Sequence, residues 1–502
     1  MSNLQHTTAD ELETILQLAA DAKLPFAQQD PRTRYRQLTT IADRLDASAD
    51  DLVTVAMAES HLPEPRLRGE LRRTTMQLRL FAEEALSGKL FDARIDVADP
   101  DFGSGPRADI RRMNTPVGVI VNFAASNFPF AFSVAGGDTA SALAVGCPVI
   151  VKAHQGHPRL SELTANIVSA ALDETGAPHG TFAVIFGRES GTQALSDDRV
   201  DAGTFTGSVR VGLLLAKIAG DRTRPIPFYG ELGSINPVFV TEAAVAARGQ
   251  AIADGFVASY TLGNGQFCTK PGLVFVPADH NLDEKLVAAA GKVTTGPLLT
   301  DSITTSFCER TRDLTQDIGG TTLVESVLKN GIPQPGLIKV RFEEFVEHYE
   351  NIRTEAFGPF AVLVEYTDAA QLHSASKYLE GSLTTTLHAE QSDTALVESL
   401  LPALEAKTGR ILLNDWPTGV AVTPAQHHGG PFPSTTNVLH TAVGTAAVAR
   451  FLRPVSFQNF FQDWLPEPLR DANPWDVPQR RSGAGESAGW GRSEQGSSNV
   501  AH

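Results

Sequence analysis

The sequence predicts an α/β protein built on parallel sheet, and three observations carry that expectation. From Val117 onward short apolar runs alternate with helical windows, a second alternating series starts after 236–240, and apolar side chains make up 42% of 502 residues, enough for more than one core. Ahead of these series the chain is helical: Leu12, Ile15, Leu16 and Ala19 follow a three-to-four spacing, as do Leu38, Ile41, Ala42 and Leu45. Such amphipathic helices are expected to cover a sheet. Strands are expected at 117–122, 148–154, 181–186 and 201–207, with helices over 132–145, 160–172 and 209–219. Strand and helix in alternation imply crossover units and a doubly wound, Rossmann-like sheet, whose ligands sit at the carboxyl ends of the strands. A helical window at 243–260 and a strand at 273–277 open the second series, which runs through Leu413 and is read as a second domain. The segment 453–461 has a strand pattern suited to pairing with a partner's edge. From Asp476 the chain is rich in Gly, Ser, Arg and Glu without apolar periodicity, so a disordered tail is expected over 476–502. No internal repeat stands out.

Composition excludes several function classes. A formal charge of −16 weighs against nucleic acid and anionic membranes as partners, because both reward clustered Lys and Arg. No apolar run approaches the roughly eighteen residues of a membrane helix, and the first residues carry neither a basic leader nor an apolar core, so a cytoplasmic location is expected. Three cysteines, Cys147, Cys268 and Cys308, are too few and too scattered for a disulfide framework or a four-ligand zinc site. A reactive thiol remains open.

Cys268 is the candidate for that thiol. It lies in LGNGQFCTKPG, a glycine-rich loop that lets backbone approach a ligand and leaves amides free for an oxyanion. Glu231, in FYGELGSINP, ends an apolar run before a glycine turn, where a carboxylate can act as a general base toward water. Asn127, in AASNFPF, follows the first strand of the alternating series and offers an amide donor. Gly207 and Ser208, in FTGSVRVG, stand between a strand and a helix, where free amides and the helix dipole favour phosphate, although no G-x-G-x-x-G is present. His427 and His428 in HHGGPF are adjacent, not spaced as a chelating pair, so no metal is expected there.

Taken in order, these segments resemble the aldehyde dehydrogenase superfamily from about Leu12 to Asn473. SNFPF at 126–130 is similar to the family's asparagine motif, VKAH at 151–154 to its cofactor lysine segment, and FTGSVRVG to its phosphate-facing turn. ELGSINP at 231–237 resembles the general-base motif, GQFCTKPG at 265–272 the nucleophile motif, and EAFGPF at 355–360 the nicotinamide-ribose motif. The resemblance implies Cys268 as nucleophile, its amide and the Asn127 side chain as oxyanion donors, and Glu231 as the base that hydrolyses a thioester. It further implies Lys152 at the adenosine ribose, Ser208 at the pyrophosphate, and Glu355 and Phe357 at the nicotinamide. The intact glutamate sets the chain apart from the acylating branch that uses coenzyme A. Where NAD-preferring members carry a glutamate shortly after the lysine, this chain has His154 and Gln155, so NADP is the expected cofactor, with NAD also accepted. Arg188, in the turn after 181–186, is the candidate partner for the 2′-phosphate.

The resemblance also implies a domain plan: a cofactor-binding domain over 1–235 with an oligomerisation hairpin near 88–110, a catalytic domain over 236–437, and a return with an oligomerisation strand over 438–475. A homodimer or homotetramer follows from it. The longer matches, among them SVAGGDTASALAVGCPVIVKAHQGHP and HHGGPFPST, resemble the branch of bacterial 2,5-dioxopentanoate dehydrogenases and NADP-preferring fatty aldehyde dehydrogenases, one substrate short and anionic, the other long and apolar. Phe128, Phe132, Phe267 and Phe432 are candidates to line an apolar channel. Two other classes compete with this reading. A catalytically silent relative sits badly with intact Cys268, Glu231 and Asn127, and a nicotinamide-free thiol acyltransferase or hydrolase requires a histidine close to Cys268 while having no use for Glu355 or Lys152.

Overall fold

The computed structural model describes residues 6–279 and 281–490. Four helices open the chain, Ala9–Ala27, Pro31–Ala47, Ala49–Ser60 and Glu64–Leu86. Their starts are written locally: Thr8 and Glu11 form a reciprocal capping box, and Asp30 caps the second helix ahead of Pro31 at its first position. Leu38, Ile41, Leu45, Leu71, Leu78 and Phe81 face inward and pack with strand residues of the first sheet in one core.

That sheet has five strands, all parallel, in the spatial order Phe182–Ile185, Val149–Lys152, Val119–Phe123, Val200–Thr206, Phe228–Glu231. Numbered along the chain the order is third, second, first, fourth, fifth, so the winding reverses between the first and fourth strands and opens a crevice at their carboxyl ends. Asn127, Lys152, Arg188, Gly207 and Glu231 each stand at or just after the carboxyl end of a different strand. Two local details differ from the sequence expectation. The helix expected from residue 132 begins at Gly137, because Gly136 and Gly137 turn the backbone to bond Ser133 and Ala131 carbonyls. Arg188 is not in a loop but opens the helix Arg188–Ser196.

A seven-stranded sheet follows, ordered Thr321–Val324, Gly336–Arg341, Phe360–Tyr366, Leu273–Pro277, Pro237–Val240, Ser382–His388, Thr408–Leu413, parallel except for the first. Its central strands, Pro237–Val240 and Leu273–Pro277, are buried along their whole length, as continuous apolar runs in a doubly covered sheet should be. The segments holding Cys268 and Glu355 enter strands of this sheet at their amino ends, so the site lies where that rim meets the carboxyl rim of the first sheet.

After Leu413 the chain crosses back. Thr445–Phe451 packs on the first core, and Leu452–Gln458 pairs antiparallel with Ile110–Pro116, which pairs with Ala93–Asp96. The expected disorder from residue 476 is corrected over the described part: Gln479–Ser482 adds a parallel fourth strand beside Ala93–Asp96. Backbone pairing and a few anchors hold it, with Val477 buried, Trp475 against Phe91 and Trp490 against Phe102. No apolar alternation announces such a strand. The remainder of that tail, 491–502, lies outside the described residues. Among the described residues no helix is long and apolar enough to cross a membrane.

Candidate active site

Cys268, Glu231 and His428 come together. Sγ of Cys268 lies 3.5 Å from Nε2 of His428, and the same Nε2 lies 2.7 Å from Oε1 of Glu231. His428 and Glu231 are almost fully buried, and the three donor atoms fall within 4.8 Å of one another. One nitrogen carries at most one proton, so the shorter contact directs that proton to the carboxylate. His428 therefore holds Glu231 and does not form a relay of the kind in which two different ring nitrogens serve the sulfur and the acid. Adjacent histidines gave no hint of this in the sequence. The signal was positional, HHGG in a loop that crosses the site, and Leu232 and Glu231 pair with Ser434 and Thr435 from that loop.

Burial pushes the Cys268 thiol well above its ordinary range, and the negative charges of Glu231 and Glu355 push it further, against a smaller opposing pull from Arg73. The resting sulfur is a protonated thiol. Alkylation of Cys268 by iodoacetamide in the cofactor-free protein is therefore expected to be slow at neutral pH and to accelerate as pH climbs past the ordinary cysteine value of about 8.5. Mass-spectrometric rates across pH check this, and a rate already flat at pH 7 overturns it.

The loop that carries Cys268 is held from below by Asn236, a fully buried residue that sequence reasoning passed over. Its Nδ2 donates to the carbonyls of Cys268 at 2.8 Å and Lys270 at 3.0 Å, while its Oδ1 accepts from Ser234 at 2.8 Å and the Thr384 amide at 3.2 Å. No described residue accepts from the Cys268 amide. Asn127 reaches the same loop, its Nδ2 donating to the Gln266 carbonyl at 3.0 Å, which leaves one amide hydrogen for another acceptor. Phe128, Phe132 and Phe267 cluster around it, Phe128 contacting the other two with ring centroids 5.2 and 5.1 Å away. Phe432 does not join them and is 62% exposed. A cavity of about 20 Å³, room for one water, lies beside Glu231 and His428.

Whether these residues fit a dinucleotide is decided by what they leave unpaired. Ser208 caps the helix Val209–Gly220, and the exposed amides of that first turn are positioned for an anion. Gly207 differs from expectation: its amide is spent on the Glu231 carbonyl at 3.0 Å, and its contribution is room, since a Cβ there would strike the Phe205 ring at 2.5 Å. Glu355 has a buried Oε1 with no partner among the described residues, and burial raises its carboxyl against the pull of Lys270. Lys270 is buried and ties down the backbone on either side of Phe357, donating to Ala356 at 2.6 Å and Phe360 at 2.9 Å. Lys152 is half-buried, its ammonium destabilised by burial and then by Arg188 nearby. His154 is neutral, burial and then the nearby His157 and Lys152 pushing it down to about 3. Because its Nδ1 accepts from the Gly156 amide at 3.0 Å, the ring proton sits on Nε2 as a donor. Gln155 is exposed beside it. Orphaned acid at one end, cationic and donor groups at the other and a helix start between them fit a nicotinamide dinucleotide.

The chain belongs to the aldehyde dehydrogenase family, whose sequence profile matches residues 1–454. Within it, the chain is 43% identical over 486 residues to alpha-ketoglutaric semialdehyde dehydrogenase 2 of Azospirillum brasilense, covering 95% of this chain and 92% of that one. It is 39% identical over 481 residues to alpha-ketoglutaric semialdehyde dehydrogenase of Acinetobacter baylyi, covering 95% and 91%. Among solved structures, aldehyde dehydrogenase 21 of Physcomitrella patens in complex with succinate superposes with a TM-score of 0.77 at 22% identity, over 90% of this chain and 91% of that one. The 1-pyrroline-5-carboxylate dehydrogenase from Thermus with bound NAD superposes with a TM-score of 0.74 at 20% identity, over 90% and 86%. At those identities the structures speak for the fold. The chain is an enzyme of NAD(P)-dependent aldehyde oxidation, and the nicotinamide-free alternatives fall away even though a histidine does stand beside Cys268.

Proposed function

We propose that this enzyme oxidises 2,5-dioxopentanoate (α-ketoglutaric semialdehyde) to 2-oxoglutarate through a thioester on Cys268, without coenzyme A and with NADP preferred over NAD. The observation that carries the reading is the buried Cys268–His428–Glu231 cluster in a chain whose relatives at 43% and 39% identity, over nearly full length, bear that substrate in their names. Cys268 releases its proton to solvent as the sulfur attacks the aldehyde carbon, which leaves the Glu231 carboxylate free for the later step. The developing oxyanion is met by the Cys268 amide and the second hydrogen of the Asn127 amide. A nicotinamide dinucleotide held by Glu355, Phe357 and Ser208 would supply the hydride acceptor that the resulting thiohemiacetal needs to become a thioester. Glu231, held by His428, then takes a proton from water as that water attacks the thioester, and the acid leaves. Glu355 and the Lys270-braced segment with Phe357 hold the nicotinamide ribose and ring. The helix start at Ser208 holds the pyrophosphate. Lys152 holds the adenosine ribose, and Arg188 with the donors of His154 and Gln155 holds the 2′-phosphate.

The domain plan follows from the same reading: the five-stranded sheet binds the cofactor, the seven-stranded sheet carries the nucleophile, and the four-stranded sheet mediates self-association. Its edge strand Leu452–Gln458 leads into exposed Phe460, Phe461 and Trp464, an apolar edge of the kind a second copy covers.

A substrate panel with both cofactors tests the reading. Purified enzyme should turn over 2,5-dioxopentanoate with higher kcat/KM than hexanal or decanal, and NADP should give the lower KM. A preference for long alkanals overturns the substrate. For the cofactor, one charge-assisted hydrogen bond contributes on the order of 1.5–3 kcal/mol, so Arg188→Ala is expected to raise the KM for NADP by roughly ten- to a hundredfold and to leave NAD little changed. Equal weakening of both cofactors makes Arg188 a structural residue.

A further inference from the structure

On the helix Glu64–Leu86, Arg66 and Arg73 stand two turns apart and both lie over the phenylalanine cluster beside Cys268. Their surroundings are unequal. Arg66 lies over Phe128 and Phe267 with its guanidinium carbon 4.4 and 4.8 Å from the ring centroids, and it is paired with Glu70 at 3.1 Å. Arg73 lies over Phe132 at 5.3 Å and Phe128 at 5.9 Å, and its Nε and Nη2 are cut off from solvent with no hydrogen-bond partner among the described residues. The nearest acid on its helix is already committed: Glu70 accepts the Phe130 and Ala131 amides on Oε1, at 2.8 and 3.0 Å, and Arg66 on Oε2. Phe132 in turn has its ring centroid 6.3 Å from that of His428. The guanidinium is thus one ring away from the histidine that touches Cys268.

A guanidinium is a fork of donors matched to a carboxylate, and leaving its nitrogens buried and unmatched is costly enough that such groups in folded proteins nearly always have a partner. Aromatic faces offset part of that cost without filling the donors. A ligand anion fills them. We propose that Arg73 forms a carboxylate subsite that selects short acidic aldehydes, its Nε and Nη2 donating to the acid group while the aldehyde end lies at Cys268. This rests on the substrate reading above and sharpens it: 2,5-dioxopentanoate carries its carboxylate four bonds from the aldehyde carbon, with apolar methylenes between that suit the phenylalanine rings.

Steady-state kinetics of the wild type, Arg73→Gln and Arg73→Lys on 2,5-dioxopentanoate, glutarate semialdehyde and pentanal test it. All three substrates have five carbons, and only pentanal lacks the carboxylate. Arg73→Gln is expected to raise the KM for both acids by about ten- to a hundredfold while the KM for pentanal changes by less than about twofold, and any fall in kcat should be common to all three substrates, since the pull of Arg73 on the Cys268 thiol is lost for each. Arg73→Lys should recover part of the loss, since it keeps the charge and loses the fork. The thermal midpoint of Arg73→Gln should not fall, because no hydrogen bond within the protein is removed. A matching rise in the KM for pentanal, or a fall in the midpoint with losses on all three, makes Arg73 structural and overturns the subsite. If the wild type prefers 2,5-dioxopentanoate and Arg73→Gln keeps it, the subsite fails and the substrate reading stands. If the wild type uses glutarate semialdehyde and not the keto acid, while Arg73→Gln loses it, the subsite stands and the keto-acid reading fails.

Discussion

Cys268→Ala is expected to lower kcat/KM for aldehyde oxidation by at least about 10⁴-fold while the dissociation constant for NADP stays within about twofold. The size follows from what is lost. Without the sulfur no covalent hemiacetal forms, and Glu231 and His428 cannot supply one. The selectivity follows from where the sulfur sits: Cys268 enters the seven-stranded sheet at Leu273, whereas Lys152, Arg188 and Ser208 line the rim of the five-stranded one. The alanine backbone also keeps the Asn236 bond to the residue 268 carbonyl, so the loop should hold its shape. Fluorescence titration of NADP and initial rates on one aldehyde make the measurement. Retained oxidation above a thousandth of the wild-type rate would sink the thioester mechanism, and lost cofactor binding would mean that the loop has collapsed.

Glu231→Gln should show a pre-steady-state burst of reduced cofactor, close to one per site, and then a steady state lower by about 10²- to 10⁴-fold. Hydrolysis needs a base for water, which an amide cannot provide. Acylation needs a thiolate, and here the carboxylate works against it, since the Glu231 charge is among the causes that hold the thiol high. Removing that charge lowers the thiol pKa, and His428 Nε2, no longer bound to a carboxylate, is left 3.5 Å from the sulfur as a proton acceptor. Stopped-flow absorbance of the reduced nicotinamide separates the phases. Burst and steady state falling together would show that Glu231 activates the thiol as well as the water.

Much of this was legible in the residues before any coordinates. Parallel strands buried on both faces read as short apolar runs, so 117–122, 148–154, 181–186 and 201–207 sit within a few residues of observed strands, and the carboxyl-end rule then placed Asn127, Lys152, Glu231 and the Gly207–Ser208 turn on one rim. The strand Gln479–Ser482 was not legible, because an edge strand held by backbone bonds and a few distant anchors, Val477 and Trp475 against Phe91, leaves no periodic trace. Local sequence makes Gly207 an amide donor toward phosphate, yet its amide goes to Glu231, a partner set by the pairing of the last two strands of the sheet.

What the sequence by itself determined is the α/β class and the doubly wound character of the first sheet, because periodicity is a local property; Cys268, Glu231, Asn127, Lys152 and Glu355 stand out in short motifs, also local, as the candidates that the proposed function uses. Tertiary structure alone decided who meets whom. His428 is 160 residues from Cys268 and 197 from Glu231 along the chain, yet it lies between them. Arg73 sits on an opening helix whose pattern differs little from its neighbours, and its distinction is that the nearest acid on its own helix is spent on the backbone of residues 130 and 131. Proton sharing, depressed or raised acidity and an unmatched guanidinium all depend on distance and burial, and those are set only when segments far apart along the chain close on one another.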